Sequence, residues 1–449
     1  MSQVIAALFG YRVSMNISVI GCGYLGAVHA ACMAEIGHTV VGVDVDEEKV
    51  GLLSAGQAPF HEPDFEELLA KNVDAGRLRF TTDFAEVADS QVHFIGVGTP
   101  EAADGSADMT YMTSAVQSLL PHLGKAERPS IVVGKSTVPV GTADSIEDAV
   151  VEAGGILIWN PEFLRESFAV QDTLRPDRLV YGVSKDEERA QVSQDILDEV
   201  YANIIGAGVV RLVMDFPTAE LVKVSANSFL ATKISFINAM AEICDATGAD
   251  VTKLAEAIGM DDRIGKKFLR AGIGYGGGCL PKDTRAFQAR TEQLGLHSLD
   301  FLTAINEIND RRRNHAAELA IEALGGDVQG KKIAILGAAF KPNSDDMRNS
   351  PALDIAKKLA DAGATVVVTD PAAGPVLQRM RPEITVAANA HDAINNCEAT
   401  LLLTEWDVFK NLDPTTLTPA NKIIIDGRNA LDPQVWKDAG WDYYGMGRS

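Results

Sequence analysis

NISVIGCGYLG, residues 16–26, decides the fold of this chain. Asn16 to Ile20 is an apolar run of strand length, and it leads into Gly21, Gly23 and Gly26 at the spacing G-x-G-x-x-G. Residues 27–36 then read as a helix that Gly37 ends, and Thr39 to Val43 as a second strand finishing on Asp44. The glycine pattern alone is weak. Set between a strand and a helix, and followed by an acid twenty-three residues after Gly21, it reads as a dinucleotide site. The helix start offers N–H groups and partial positive charge to a pyrophosphate. Asp44 is spaced to take the ribose hydroxyls of the adenosine, and its charge repels a 2′-phosphate, so the expected cofactor is NAD rather than NADP. The expected contacts are Gly21, Gly23, Tyr24, Leu25, Gly26 and Asp44. Lys49 reads either as a neighbour of the adenosine or as a solvated helix lysine. Thr99 in GVGTP (96–100) and Thr137 in STVP (136–139) follow strand ends where the cofactor would lie, although each also suits an ordinary turn.

Outward from this unit the strand–helix alternation continues. QVHFIGVGTP (91–100), SIVVGKSTVPVGT (130–142), GILIWNPEF (155–163) and DRLVYGV (177–183) are β-rich and punctuated by glycine, with helical patterns between them. That alternation predicts a parallel α/β sheet. From about 217 to 246 the chain turns into one long helical pattern without glycine or internal proline, apolar nearly all round and so expected to be buried. At Gly330 the α/β pattern resumes: KKIAILGAAF (331–340), SPALDIAKKLADAG (350–363) and ATVVVTD (364–370) repeat the logic of the first unit and end on Asp370. The expected fold is α/β, with two Rossmann-like parallel-sheet domains joined by a helical central domain that carries a long helix. The expected boundaries are 15–215 for the N-terminal dinucleotide domain, 216–328 for the helical domain and 329–449 for the C-terminal domain. Residues 1–14 are expected to be an upstream extension, because Met15 opens the first convincing strand.

Composition narrows the partners. The 449 residues carry a formal net charge of −22, which disfavours a nucleic acid or an anionic membrane surface. An anionic ligand would need lysines and arginines gathered locally. No apolar run reaches membrane-spanning length. Cys22, Cys32, Cys244, Cys279 and Cys397 are scattered, odd in number and without zinc-type spacing, which suits free thiols in the cytoplasm and no metal.

One of those cysteines stands apart. Cys279 lies in FLRAGIGYGGGCLPKD (268–283) directly after Gly276, Gly277 and Gly278. A free cysteine is most often a small buried hydrophobe. Glycines that allow close backbone approach, with Lys282 and Asp283 beside it, favour a presented thiol instead. If Pro281 opens a helix, Cys279 sits at its N-terminal edge, where the dipole favours thiolate. Two further pairs share its four-residue spacing to Asp283: Glu162 with Glu166 in NPEFLRES, and Lys223 with Asn227 in ELVKVSAN. Helical spacing would put each pair on one face. Oxidising an alcohol beside NAD needs a proton acceptor, and Lys223, Asn227 or a water held by Asp283 can bind the oxygen and stabilise developing charge. A thiolate can then add to the aldehyde, lose a second hydride as a thiohemiacetal, and leave a thioester that water hydrolyses to an acid.

With GCGYLG, STVPVGT, NPEFLRE, ELVKVSAN, FLRAGIGYGGGCLPKD, FKPNSDDMRNSP (340–351) and DGRN (426–429) in this order, the chain resembles the UDP-glucose/GDP-mannose dehydrogenase family from Met15 to its end. The resemblance implies oxidation of a sugar-nucleotide C6 alcohol to a carboxylate with two NAD⁺. The wording around Cys279 is nearest to members acting on UDP-glucose, with GDP-mannose or a UDP-N-acetylhexosamine as the alternative. It implies Cys279 as nucleophile, Lys223 and Asn227 steadying the oxygen at C6, and Asp283 positioning water or a proton, with Thr137 close to the chemistry. Glu162, Phe163, Leu164, Arg165 and Glu166 would line the site. Phe268, Leu269, Arg270, Ala271 and Gly272 would wrap the UDP-sugar, with Gly276 close to it. Lys341 would meet the diphosphate, Arg263 would reach the sugar from a neighbouring subunit, and Arg428 would contribute nearby. Lys282, Arg348 and Glu166 would approach NAD. A homodimer or higher homo-oligomer is implied as well. Ser167, Val224 and Ser344 stand where many relatives have glycine, tyrosine and threonine, which touches sugar preference rather than reaction type. A two-electron β-hydroxyacid dehydrogenase, the nearest rival, needs neither Cys279 nor a second α/β domain. A sugar-nucleotide binding protein without turnover would not need the Cys279, Lys223, Asn227 and Asp283 set.

Overall fold

The structure is a computed structural model and describes residues 14–125 and 128–448. Residues 1–13, nearly all of the expected extension, lie outside the described residues. The chain divides into two compact units between Ser225 and Ala226.

The first unit is built on β1 (Asn16–Ile20), β2 (Thr39–Val43), β3 (Leu78–Thr81), β4 (Val92–Ile95), β5 (Ser130–Gly134), β6 (Gly155–Trp159), β7 (Arg178–Val183) and β8 (Val210–Asp215). They form an eight-stranded sheet in the order β3-β2-β1-β4-β5-β6-β7-β8. Only the β6–β7 pairing is antiparallel. The central strands are nearly continuous β-branched or aromatic runs buried on both faces, as parallel strands under two helical layers require. β1 lies between β2 and β4, with Ile17 opposite both Val40 and Val92. This is the switch point where an open α/β sheet receives ligands at the carboxyl ends of its strands. Helix α1 (Tyr24–Glu35) starts inside the glycine motif, three residues earlier than its apolar pattern suggests. Helix α2 (Thr142–Glu152) follows the turn after β5.

Buried histidines make this unit sensitive to acid. His93 on β4 shares a 2.7 Å hydrogen bond between its Nδ1 and Ser18 Oγ. Burial pushes its ring down to about 3, and burial likewise lowers His29 and His38. Below about pH 6.5 the unfolded chain binds protons that the folded one does not, so each such ring removes ~1 kcal/mol of stability per pH unit as pH falls toward its native value. The melting temperature is expected to drop progressively between about pH 6.5 and 3. Calorimetry across that window checks this, and a flat profile contradicts it.

Helix α3 (Phe216–Thr247) crosses from the first unit into the second, and α4 (Val251–Gly259), α5 (Leu280–Gln293) and α6 (Phe301–Ala323) complete the helical region. The long helix is not buried all round, as its composition led one to expect. Phe229 (66 %), Phe236 (48 %) and Ile243 (54 %) are exposed at seven-residue steps. An apolar helix therefore presents two faces here, one packed inside and one turned outward.

The second sheet contains β9 (Lys332–Leu336), β10 (Thr365–Thr369), β11 (Thr385–Val386), β12 (Ala399–Leu402), β13 (Ile423–Asp426) and β14 (Asp442–Gly445). Its order is β11-β10-β9-β12-β13-β14, all parallel. The arrangement repeats that of β1 to β6, as the sequence echo predicts. No helix among the described residues is long and apolar enough to cross a membrane.

Candidate active site

In the first unit the glycine motif forms a cradle of the right shape for a dinucleotide. A Cβ on Gly26 would lie 1.8 Å from Gly21 O, so only glycine lets α1 pack this close to the strand end. A Cβ on Gly23 would meet nothing within 4 Å, which leaves open space over the first turn of α1. Gly23 is the N-cap and brings no side chain to the helix's N–H groups. Cys22 N donates to Asp44 Oδ2 at 2.8 Å, and Lys49 Nζ reaches both Asp44 oxygens at 3.1 Å. Lys49 is thus paired with Asp44 and only partly exposed. Across the switch point, Thr99 Oγ1 donates to Thr137 O at 2.8 Å and Ser136 Oγ to Val97 O at 2.6 Å. The two loops expected beside the cofactor are thus tied to each other.

Lys223, buried on α3, donates from Nζ to Glu162 Oε1 at 3.0 Å. Glu162 and Glu166 do not share a helix face, contrary to their spacing. Residues 160–165 are irregular, Glu162 Oε2 accepts from Leu164 N at 2.7 Å, and Ser167 takes a φ of 66°. A proline after Asn160 and a left-handed residue at 167 leave no room for a helical turn. Phe163 lies under the Arg178 guanidinium, 3.9 Å from the ring centroid, with Lys223 Nζ at 5.8 Å. Arg165 is exposed and pairs with Asp172.

In the second unit, Cys279 is the exposed cysteine and the N-cap of α5, while Cys22, Cys32, Cys244 and Cys397 are buried. Pro281 opens this helix as expected, and Asp283 N donates to Cys279 O at 2.9 Å, which sets the pair one turn apart. The buried Asp283 carboxylate accepts from Asn227 Nδ2 at 2.7 Å and from Lys282 Nζ at 2.6 Å. Lys223 and Asn227 are one turn apart on α3, as their spacing predicts.

The glycines before Cys279 pack against another segment of the chain. Only Gly277 of the three takes a positive φ, 83°. A Cβ on Gly276 would lie 2.2 Å from Asn349 O, one on Gly277 2.8 Å from the Phe340 ring, and one on Gly278 2.5 Å from Arg348 Cζ. The glycines thus admit the 340–351 segment, and this packing sets the backbone that presents Cys279. It also brings Arg348, fork-paired with Asp346, against the thiol turn. Lys341 Nζ lies 5.1 Å from the Phe340 centroid. In the 268–272 stretch Leu269 and Ala271 point into a small apolar cluster, which leaves Phe268, Arg270 and the backbone outward. Gly272 N donates to Asn238 Oδ1. Arg428 is a brace: its Nε, Nη1 and Nη2 donate to Leu403 O, Gly274 O and Phe340 O. Arg263 is exposed and forks onto Asp261, with no bond to the other candidates among the described residues.

Several positioning groups escaped the sequence reading. Glu220 accepts from Gly141 N and Ala143 N, both at 2.7 Å, so α3 caps α2 and fixes the turn that carries Thr137. Its place three residues before Lys223, in the same helical stripe, was the available signal. Glu62 receives Tyr24 Oη, Ser167 N and Ala169 N and ties the glycine motif to the 166–169 turn. Nothing local in the sequence marks it. In the second sheet, Asp370 echoes Asp44 in position only. Its carboxylate is saturated by Ala338 N, Ala339 N, Ala372 N, Ala373 N and Trp406 Nε1, so it has no capacity left for a ribose.

Comparison with known proteins agrees along the chain. Residues 15–205 match the NAD binding domain of the UDP-glucose/GDP-mannose dehydrogenase family, residues 217–311 its central domain and residues 334–433 its UDP binding domain. A UDP-glucose 6-dehydrogenase of Rhizobium meliloti (strain 1021) is 41% identical over 442 residues, 97% of this chain and 100% of that one. The UDP-glucose 6-dehydrogenase TuaD of Bacillus subtilis (strain 168) is 39% identical over 442 residues, 96% of this chain and 93% of that one. A solved UDP-glucose dehydrogenase from the archaeon Pyrobaculum islandicum superposes with a TM-score of 0.88 at 37% identity, covering 98% of this chain and 99% of its own. NAD is the cofactor that the first domain is built to hold. The chain belongs to the UDP-glucose/GDP-mannose dehydrogenase family.

Proposed function

We propose that this protein oxidises the C6 alcohol of UDP-glucose to the carboxylate of UDP-glucuronate in two hydride steps, with covalent capture of the intermediate on Cys279. The observation that carries this reading is the exposed thiol at the N-cap of α5, one turn from the buried Asn227–Asp283 pair. The choice of sugar is supported by the names of full-length relatives near 40% identity. The three domains retain the boundaries 15–215, 216–328 and 329–449 in this reading.

Gly21, Gly23, Tyr24, Leu25, Gly26, Asp44 and Lys49 would hold NAD⁺, which when bound would supply the hydride acceptor for C6. Lys223 and Asn227 hold the C6 oxygen, and its proton passes to the Lys223 side chain or to water held by Asp283. The Cys279 thiolate forms an S–C bond to the aldehyde carbon, and the thiohemiacetal that results loses the second hydride to become a thioester. Water, activated by the carboxylate of Glu162, Glu166 or Asp283, breaks the S–C bond and frees the thiol and the acid. Each turnover consumes two NAD⁺ and one water. Arg348, Lys282, Lys341, Arg270 and Phe268 supply local charge and contact for the anionic ligands on an acidic protein. The exposed stripe of Phe229, Phe236 and Ile243 supports a homo-oligomer, and five scattered cysteines, odd in number, support a cytoplasmic setting.

The test is a hydride count. Purified protein given limiting UDP-glucose and excess NAD⁺ is expected to yield two NADH per sugar nucleotide, without free aldehyde. One NADH per sugar contradicts the four-electron reading. Turnover of GDP-mannose or a UDP-N-acetylhexosamine in place of UDP-glucose contradicts the sugar.

A further inference from the structure

Glu62 is a buried carboxylate that the reaction above leaves without a task. It lies in FHEPDF (60–65), between β2 and β3, and its partners come from two other parts of the first unit. Ser167 N donates to its Oε2 at 2.8 Å and Ala169 N to its Oε1 at 2.7 Å. Tyr24 Oη donates to the same Oε2 and accepts from Ser167 N at 3.1 Å. The donors are a phenol and two backbone amides rather than a cation. Burying a carboxylate is costly, and donors aimed at both of its oxygens offset that cost. The segment that carries Glu62 is itself held. Phe65 N donates to Glu62 O at 3.3 Å, and the Phe60 ring lies 4.7 Å from the Tyr24 ring and 5.1 Å from that of Phe65.

The backbone that Glu62 holds is not in a relaxed conformation. Ser167 takes a φ of 66°, a left-handed value that a residue with a Cβ disfavours by roughly tenfold or more. Without the bonds from Ser167 N and Ala169 N, this residue would relax toward negative φ and turn the chain that precedes it. That chain carries Glu162, whose Oε1 receives Lys223 Nζ at 3.0 Å, and Glu166, one of the carboxylates able to activate water. At its other end the Glu62 carboxylate meets Tyr24, the first residue of α1, directly after the N-cap Gly23 where the cofactor cradle opens.

We propose that Glu62 is a positioning residue with two arms: through Ser167 N and Ala169 N it locks the left-handed turn that sets the Glu162–Glu166 segment, and through Tyr24 Oη it fixes the first residue of α1 at the cofactor cradle. This rests on the roles proposed above for Glu162, Glu166 and Tyr24. The two arms predict separable effects. Loosening the turn moves the carboxylates and lowers kcat. Loosening the tyrosine disturbs the cradle and raises KM for NAD⁺.

Four variants and one combination test this by steady-state kinetics with UDP-glucose and NAD⁺. Glu62→Gln keeps the side chain's size but offers one acceptor oxygen where two are used, so one of the two amides faces an NH₂ group. Its kcat is expected to fall at least about tenfold as Ser167 leaves the left-handed region, and its KM for NAD⁺ to rise about threefold. Tyr24→Phe removes one donor and leaves both amide bonds, so KM for NAD⁺ is expected to rise while kcat stays. Ser167→Gly supplies a residue that takes positive φ without help. In that background Glu62→Gln is expected to lower kcat no more than about twofold, a rescue that marks the turn as the route of the effect. Ser167→Thr strains the same turn with Glu62 untouched, because a β-branched residue resists positive φ more than serine does, and a severalfold fall in kcat is expected. This variant decides the question if Glu62→Gln does not fold. An equal loss of kcat from Glu62→Gln in both backgrounds, or a parental kcat in Ser167→Thr, overturns the proposal. Failure of the substrate assignment looks different, as wild-type protein that forms no NADH from UDP-glucose.

Discussion

Replacing Cys279 by serine is expected to abolish formation of the acid while UDP-glucose and NAD⁺ still bind. Serine is among the best N-cap residues, so the start of α5 keeps its geometry, and the melting temperature is expected to stay close to that of the parent. What changes is the group proposed as nucleophile. A thiolate is accessible near neutral pH, whereas an alkoxide is not, and an oxygen adduct lacks the thioester's reactivity toward water. A fall in acid formation of at least about a thousandfold is expected, equivalent to about 4 kcal/mol of transition-state stabilisation. The experiment follows NADH and separates the products by mass. Iodoacetamide offers a companion test. The thiols of Cys22, Cys32, Cys244 and Cys397 are buried and pushed above their ordinary range by burial, so early labelling is expected at Cys279 alone and suppressed by UDP-glucose. Acid production at the parent rate in the serine variant contradicts covalent capture.

The difference between what was legible in the sequence and what was not follows from the range of each interaction. Both sheets were readable because β-branched runs and glycine punctuation are local signals, and Asp44 was readable because the strand–helix–strand unit fixes its distance from Gly21. The Lys223–Asn227 and Cys279–Asp283 spacings held because each pair lies on one helix or at its cap. The Glu162–Glu166 spacing failed because a proline and a left-handed serine make that segment a turn. The glycines at 276–278 were recognised as permitting close approach, but the approaching group is Phe340, Arg348 and Asn349, more than sixty residues away in sequence. Glu220 and Glu62 were missed for the same reason. Each is an ordinary charged residue whose partners come from another part of the chain, and three of the five donors that fill Asp370 are likewise more than thirty residues away.

Asp283→Asn is expected to lower kcat by a factor of roughly a hundred to a thousand with little change in KM for either ligand. The side chain keeps its size but loses its charge and one of its two acceptor oxygens. As a carboxylate, Asp283 can accept from Asn227 Nδ2 and Lys282 Nζ at once, each through its own oxygen. This forces Asn227 to turn its nitrogen toward Asp283 and leaves its Oδ1 pointing elsewhere, a fixed amide orientation. An asparagine at 283 can either donate or accept toward Asn227, so that amide is no longer held in one sense. It also stops offering a negative group to position water or take a proton. Lys282 is part-exposed and can turn to solvent, so the loss of its partner is expected to affect stability only slightly. Asp283→Ala is different, since it leaves Asn227 Nδ2 buried without an acceptor and is expected to cost about 1–3 kcal/mol of stability in addition. Comparing the two variants by kcat and by melting temperature separates the charge from the packing. A kcat in Asp283→Asn within threefold of the parent would show that Asn227 and Lys223 handle the oxygen and its proton without a carboxylate behind them, and would move the hydrolytic role onto Glu162 or Glu166.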